Sequence, residues 1–132
     1  GEPDGKKRVT LSGMAFKGQP ETSDLRGSSS VYIARKLKDA GYLLNLHDFV
    51  AKRDEMEALK LGDVYDDIYD ACENSRLLLI LNNHKKYIDL QEHEAILKSR
   101  NGFAVFDSWG VCQNLLCNDN IDLYNLGNIM IK

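Results

Sequence analysis

The sequence predicts an α/β fold in which a mainly parallel, five-stranded sheet lies between two layers of helices. Short apolar segments typical of buried strands alternate with segments whose apolar residues recur at helical spacing. The longest uninterrupted apolar run, Leu77 to Leu81, suits a strand covered on both faces and falls far short of the roughly 20 residues that a membrane span needs. Strands that alternate with helices imply βαβ crossovers and a parallel sheet, and right-handed crossovers then place helices on both faces.

The first half of the chain predicts two strands and one well-defined helix. A β-rich run ending in Ser12-Gly13 predicts a strand at about 7–13, and glycine and proline then predict a polar loop at about 17–27. Ser28 and its serine neighbours can cap a helix, which Gly41 ends. The helical spacing is carried by Val31, Ile33, Ala34, Leu37 and Ala40. Residues 43–48 predict the second strand.

The second half continues the alternation. A charged helix is predicted from Lys52 to Leu61, and Asp63 is expected to cap a short helix that ends near Cys72. The remaining elements are predicted as a strand at 76–81, a helix at 90–100, a strand at 103–106 and a last strand at 121–126. This order is that of a three-layer Rossmann-like sandwich.

Length and composition predict a single domain over residues 1–132, with residues 1–6 as the remnant of a linker. The 43% of apolar residues can form a core, and a net charge of −3 gives no indication of nucleic-acid or membrane binding. Three cysteines without close pairing, at positions 72, 112 and 117, favour a reducing, cytoplasmic setting over a disulfide framework.

Polar residues follow four of the predicted strands, and ligands of open α/β sheets bind at such strand ends. These clusters are Ala15-Phe16-Lys17, Asp48-Phe49, Asn82-Asn83-His84 and Asp107-Ser108-Trp109. Phe16 and Lys17 combine a ring with a cation, which suits a base and a phosphate. Asp48 stands where a dinucleotide-binding fold keeps its ribose acid, but without the accompanying glycines we expect it to cap a loop.

The sequence contains neither a dinucleotide fingerprint nor a working phosphate loop. No G-x-G-x-x-G is present, and Gln19-Pro20 stands where a phosphate loop has Lys-Ser or Lys-Thr. Cys72 is expected in the core, while Cys112 and Cys117 lack the partners of a zinc site, so no metal is predicted. His84 could titrate at a strand end, but the sequence supplies no nucleophile for it to activate.

Residues 13–33 resemble the start of the C-terminal domain of the UDP-glucose/GDP-mannose 6-dehydrogenase family. The family pattern there is Gly, Leu or Phe, then Ala-Phe-Lys, a short loop, Asp-x-Arg and a serine-containing helix start. This chain has Gly13-Met14-Ala15-Phe16-Lys17, then Asp24-Leu25-Arg26, then Ser28-Ser29-Ser30. Weaker likeness extends from Val9 to Gly127.

The resemblance implies a nucleotide-sugar-binding domain of an NAD-dependent enzyme that oxidises the C6 alcohol of a UDP-sugar or related nucleotide-sugar to a carboxylate. NAD would bind an upstream domain, and a central region beside the catalytic cysteine would provide homodimer contacts. No cysteine of this chain matches the catalytic one, so the resemblance implies no catalytic residue and no cofactor within this chain. It carries over Phe16 and Lys17 as nucleotide contacts and Arg26 as a residue near the substrate cleft.

The chain departs from the family pattern at one phosphate-binding position. Where relatives have Phe-Asp-Gly-Arg, this chain has Phe106-Asp107-Ser108 followed by Trp109-Gly110. The expected site residues are therefore Phe16, Lys17, Arg26, Trp109 and Gly110. The departure leaves an alternative open: a Rossmann-like assembly or interaction module whose nucleotide site has been lost. A receiver-like domain is disfavoured, because the first strand does not end in an acidic pair.

Overall fold

Six parallel strands form one sheet in the part of the chain that the computed structural model describes, namely residues 8–15, 25, 28–87, 103–107 and 121–124. Their bounds are β1 Arg8–Ser12, β2 Leu43–His47, β3 Asp63–Val64, β4 Leu77–Ile80, β5 Phe103–Asp107 and β6 Ile121–Tyr124. The order across the sheet is β3-β2-β1-β4-β5-β6, and every pairing is parallel. The predicted α/β, Rossmann-like fold is thus confirmed, with the two-residue β3 added at one edge.

The first helix, α1 (Ser29–Asp39), forms where the serines and the apolar spacing predict it. The Ser28 hydroxyl accepts a hydrogen bond from the backbone N–H of Ser30 at 3.1 Å, which satisfies one of the donors left open at a helix start. Gly41 follows with a φ of +100°, a conformation that glycine adopts without steric cost, and ends the helix.

Two later helices differ from the prediction at their ends. The charged helix α2 spans Arg53–Ala58 and is shorter than predicted. The short helix α3 spans Ile68–Cys72, and its cap is Asp67, whose side chain accepts hydrogen bonds from two N–H groups of the first turn. The prediction that Asp63 caps this helix was wrong, because Asp63 lies in the edge strand β3, opposite Asn45.

Alternate strand residues pack into two cores, one on each face of the sheet. One core joins Val9, Leu11, Leu44 and Leu46 to residues of α1 and α2, including Ala34 and Met56. The other joins Leu78, Ile80 and Val105 to α3 and to Tyr87. Cys72 is 2% exposed in this second core, as the sequence predicts. No described helix is both long enough and apolar enough to cross a membrane.

A buried polar layer lies between the sheet and α3. The carbonyl of Ala71 accepts hydrogen bonds from Thr10 Oγ1 at 2.6 Å and from Asn45 Nδ2 at 2.7 Å. Thr10 Oγ1 also hydrogen-bonds Ser75 Oγ at 2.7 Å, and Arg8 donates to Asn45 Oδ1 at 2.7 Å. These bonds connect β1 and β2 to the chain segment that leads into β4.

Several predicted segments lie outside the described residues. These are residues 1–6, nearly all of the loop at 17–27, the helix at 90–100 and the end of the last strand beyond Tyr124.

Candidate functional site

The parallel strands all end at one edge of the sheet, which we call the carboxyl edge. The strand order reverses between β1 and β4: the chain runs from β1 outward through β2 to β3, and later from β4 outward through β5 to β6. Ligands of open α/β sheets bind in the crevice at such a reversal. The buried polar side chains that the structure describes at this edge include those of Asp48, Asn82, His84 and Asp107.

Asp48 connects the ends of three neighbouring strands. Its Oδ1 accepts hydrogen bonds from the Ala15 N–H at 2.9 Å and from Asn82 Nδ2 at 3.4 Å. Its Oδ2 accepts from the N–H groups of Val50 at 2.8 Å and Ala51 at 2.7 Å. The two hydrogen bonds to Oδ2 form the loop cap that the sequence predicts. The two hydrogen bonds to Oδ1 reach across the sheet and are not predictable from the sequence.

The turn after β1 requires glycine at position 13. Gly13 has a φ of +96°, and a Cβ atom there would lie 2.6 Å from the backbone nitrogen of Asn82. The Gly13 N–H donates to the carbonyl of His47 at 3.0 Å. This close approach brings the end of β1 against the residues that follow β4.

Three side chains satisfy the successive carbonyls of this turn. Ser30 Oγ donates to the Gly13 carbonyl and Ser28 Oγ to the Met14 carbonyl, both at 2.7 Å. Asn82 Nδ2 approaches the Ala15 carbonyl at 3.4 Å. Hydrogen bonds within the protein therefore hold the backbone immediately before Phe16 and Lys17 on both sides.

His47 lies beneath the edge in a chain of hydroxyl groups. Its Nδ1 is 2.6 Å from Ser12 Oγ, which is 2.7 Å from the Tyr87 hydroxyl. Each of these three side chains is at most 1% exposed. The His47 pKa is lowered from 6.5 to about 4, because burial penalises the charged ring. Nearby Asp48, Asp67 and Asp66 oppose this shift, and His84 adds slightly to it. We conclude that the trio serves the structure and that substrate has no access to it.

His84 is buried rather than solvated. Its Nδ1 accepts a hydrogen bond from the backbone N–H of Lys86 at 3.1 Å, so in this arrangement Nδ1 carries no proton. The His84 ring centroid lies 5.1 Å from that of Phe49, and the Lys86 amine lies 5.6 Å from the same Phe49 ring. Phe49 follows β2 and was expected among the strand-end residues, but its contacts with His84 and Lys86 could be sought only after the ends of β2 and β4 were known to meet.

The five site residues expected from the sequence, Phe16, Lys17, Arg26, Trp109 and Gly110, lie outside the described residues. The described chain approaches them closely, since Ala15 directly precedes Phe16 and Asp107 ends β5 two positions before Trp109. Asp107 pairs with Ile80 of β4, which in turn neighbours β1. Among the described residues, no group of three or more metal-ligating side chains lies close enough to hold an ion.

Residues 10–114 match the family model described as "UDP-glucose/GDP-mannose dehydrogenase family, UDP binding domain". The chain belongs to this family. Relatives from the same family include the UDP-glucose 6-dehydrogenase of Mus musculus, which is 26% identical over 122 residues covering 83% of this chain. The UDP-glucose 6-dehydrogenase of Haloferax volcanii is 30% identical over 94 residues covering 71% of the chain. The chain spans only about a quarter of the length of these relatives, 24% and 21% respectively.

Solved structures of the dehydrogenase family share the fold. A UDP-glucose dehydrogenase from Pyrobaculum islandicum superposes with a TM-score of 0.64 at 21% identity, over 91% of this chain and 25% of its own. A GDP-mannose dehydrogenase from Pseudomonas aeruginosa gives a TM-score of 0.60 at 20% identity, over 89% of this chain and 28% of its own. Because these structures are only 20–21% identical in sequence to this chain, the comparison supports the fold alone.

Proposed function

We propose that this chain is the domain that binds a UDP-sugar, or a related nucleotide-sugar, within an NAD-dependent nucleotide-sugar 6-dehydrogenase. The observation that carries the proposal is the prearranged turn Gly13–Ala15 at the β1–β4 crevice, directly before the Phe16-Lys17 pair of the family pattern. A turn that is already ordered spares the ligand the entropy of ordering it.

The helix that follows the turn favours an anionic ligand. The amino end of α1 is held against the turn by two serine hydroxyls, one on Met14 and one on Gly13. The positive end of a helix dipole and its open N–H groups stabilise phosphate. A diphosphate bound in the crevice would therefore lie near the amino end of α1.

Each site residue has a chemical role in this proposal. The Phe16 ring and the Trp109 ring offer faces for the base, and Lys17 offers a cation to the diphosphate. By the family pattern, Arg26 would contribute near the substrate cleft, and Trp109-Gly110 replaces an arginine of the relatives. These roles rest on the family pattern and on the convergence of β1, β4 and β5 at one edge.

In the complete enzyme, the C6 alcohol of the sugar would be oxidised to a carboxylate in two hydride transfers to NAD. The NAD-binding domain, the catalytic cysteine and the central region beside it would lie outside residues 1–132. The assembly would be a cytoplasmic homodimer. This domain would then supply binding energy and orientation, and no reacting group.

A second candidate function is that of an assembly module whose nucleotide-binding site has been lost. The replacement of the family arginine by Trp109-Gly110 favours it, because a lost phosphate contact weakens binding directly. The ordered turn favours the first candidate, since an assembly surface does not need its backbone fixed beside a phosphate-binding motif.

Titration of the isolated chain with UDP and GDP, followed by amide chemical shifts, separates the two. We expect a Kd of about 0.1–1 mM, equivalent to roughly −4 to −5.5 kcal/mol, because the domains that complete the site are absent. Shifts should concentrate in residues 13–30 and 106–112. No saturable shifts, or shifts confined to other regions, would support the assembly module instead.

A further inference from the structure

We propose that Asp48 is a positioning residue of the nucleotide site. Together with Asn82 it holds both backbone polar atoms of Ala15, an arrangement that we call the Ala15 clamp. The clamp sets the conformation from which the next two residues, Phe16 and Lys17, meet the ligand. This inference rests on the proposed function, because it assigns a role to a residue that the ligand does not touch.

The clamp is built from residues far apart in the sequence. Asp48 Oδ1 accepts the Ala15 N–H at 2.9 Å, Asn82 Nδ2 lies 3.4 Å from the Ala15 carbonyl, and the same Nδ2 lies 3.4 Å from Asp48 Oδ1. Asp48 follows β2, Ala15 follows β1 and Asn82 follows β4, so the three neighbouring strand ends are joined. Asp48 is 9% exposed and Asn82 is 3% exposed.

Local capping explains only half of what the Asp48 carboxylate does. Oδ2 accepts the N–H groups of Val50 and Ala51, which lie two and three residues further along the chain. A neutral asparagine or a serine at position 48 could also cap such a turn. The second oxygen reaches a backbone N–H that lies 33 positions earlier in the sequence, and that contact needs a second acceptor.

The other contacts of the turn do not depend on the clamp. Gly13 is held by the His47 carbonyl and by Ser30, and Met14 is held by Ser28. Loss of the clamp should therefore release Ala15 while the start of the turn stays in place. A local release of this kind would weaken ligand binding more than it weakens the fold.

The test compares Asp48→Asn with Thr10→Val. An asparagine has one carbonyl oxygen, so it cannot accept hydrogen bonds from both the Ala15 side and the Val50 side. Thr10→Val removes a buried hydroxyl that bonds the Ala71 carbonyl and Ser75, in the polar layer beneath α3, and leaves the clamp intact. All proteins are titrated with UDP at a temperature at which each is fully folded, and amide hydrogen exchange is recorded for the same samples.

We expect the affinity of Asp48→Asn for UDP to fall roughly tenfold, the scale of the conformational entropy lost when binding must order one released residue. Exchange of the Ala15 amide should accelerate while that of the Gly13 amide stays slow. Thr10→Val should bind as the wild type does. If Asp48→Asn does not fold, Asn82→Ala, which removes the other half of the clamp, decides by the same readouts.

Three outcomes would overturn the inference. If Asp48→Asn binds UDP within about twofold of the wild type, the clamp has no positioning role, although the proposed function stands. If exchange accelerates equally at all amides, or if Thr10→Val loses affinity to the same extent, the effect of Asp48 is one of global stability. If the wild type itself binds no UDP, the inference and the proposed function both fail.

Discussion

His47 links the stability of the fold to pH. Burial lowers its pKa from 6.5 to about 4, so the folded chain keeps the ring neutral while an unfolded chain would protonate it below pH 6.5. The unfolded state therefore binds more protons than the folded state between these two values. Stability is fully present above about pH 6.5 and is lost as the pH falls towards 4.

The change predicted for this residue alone is a loss of about 3 kcal/mol of unfolding free energy between about pH 7 and pH 4. Urea denaturation of the wild type and of His47→Gln at several pH values in this range measures it. Acidic residues contribute to both proteins alike, so the difference between the two pH slopes isolates the histidine. Parallel slopes would show that His47 does not titrate as its burial implies.

The missing arginine gives a second prediction at this scale. If the nucleotide site is otherwise intact, Gly110→Arg should restore a charge-assisted phosphate contact and raise the affinity for UDP about tenfold. High salt should reduce the gain, because it screens part of the added charge. A thermal melt provides the control for folding. A variant that folds normally but binds no better would favour the assembly module.

The roles of single residues were predictable from the sequence only where their partners lie nearby in the chain. The capping of α1 by Ser28 follows from local pattern, and so does the loop cap at Asp48. The Asp48–Ala15 bond and the Ser30–Gly13 bond span 33 and 17 positions. Such pairs become neighbours only through the strand order, which the sequence pattern does not specify.

At the scale of elements, the three successive serines at the start of α1 have different roles that substitution can separate. Ser28 caps the helix and donates to the Met14 carbonyl, whereas Ser29 is exposed at the first helical position. Ser28→Ala should lower the free energy of unfolding by about 2 kcal/mol, because a cap and a buried hydrogen bond are lost together.

Ser29→Ala is the matched control, since it makes the same chemical change one residue later. Its effect should stay within about 0.5 kcal/mol. Urea denaturation of the two variants under identical conditions provides the comparison. Equal losses in both variants would show that the helix start does not depend on Ser28 as the structure indicates.

Helices and strands with a clear apolar pattern in the sequence were predictable, and those without such a pattern were not. The apolar run of β4 and the spacing in α1 specify their element type over enough residues to be recognised. The strand β3 has two residues, which is too short for any periodicity, and its existence depends on pairing with β2. Asp63 was therefore misassigned as a helix cap, a role for which Asp67 is better placed.

At the scale of the whole molecule, we predict that this chain alone has no dehydrogenase activity. It lacks the dinucleotide fingerprint, and the resemblance places the catalytic cysteine upstream of it. Incubation with NAD and a panel of nucleotide-sugars, followed by NADH absorbance, tests this. Turnover clearly above a protein-free blank would contradict the prediction and the division of labour proposed for the enzyme.

The buried polar layer beneath α3 has a consequence for how β4 finds its alignment. Leu77 to Leu81 consists of nearly interchangeable apolar residues, so sliding this strand by two positions along β1 would keep every side chain on its original face. Such a slide would separate Thr10 from Ser75 and break the buried hydrogen bond between their hydroxyls, at a cost of about 0.5–1.5 kcal/mol. The apolar side chains of β4 stabilise its pairing with β1 but do not specify the register. The hydrogen bond between the two hydroxyls favours the alignment at which the crevice beside β1 takes its shape.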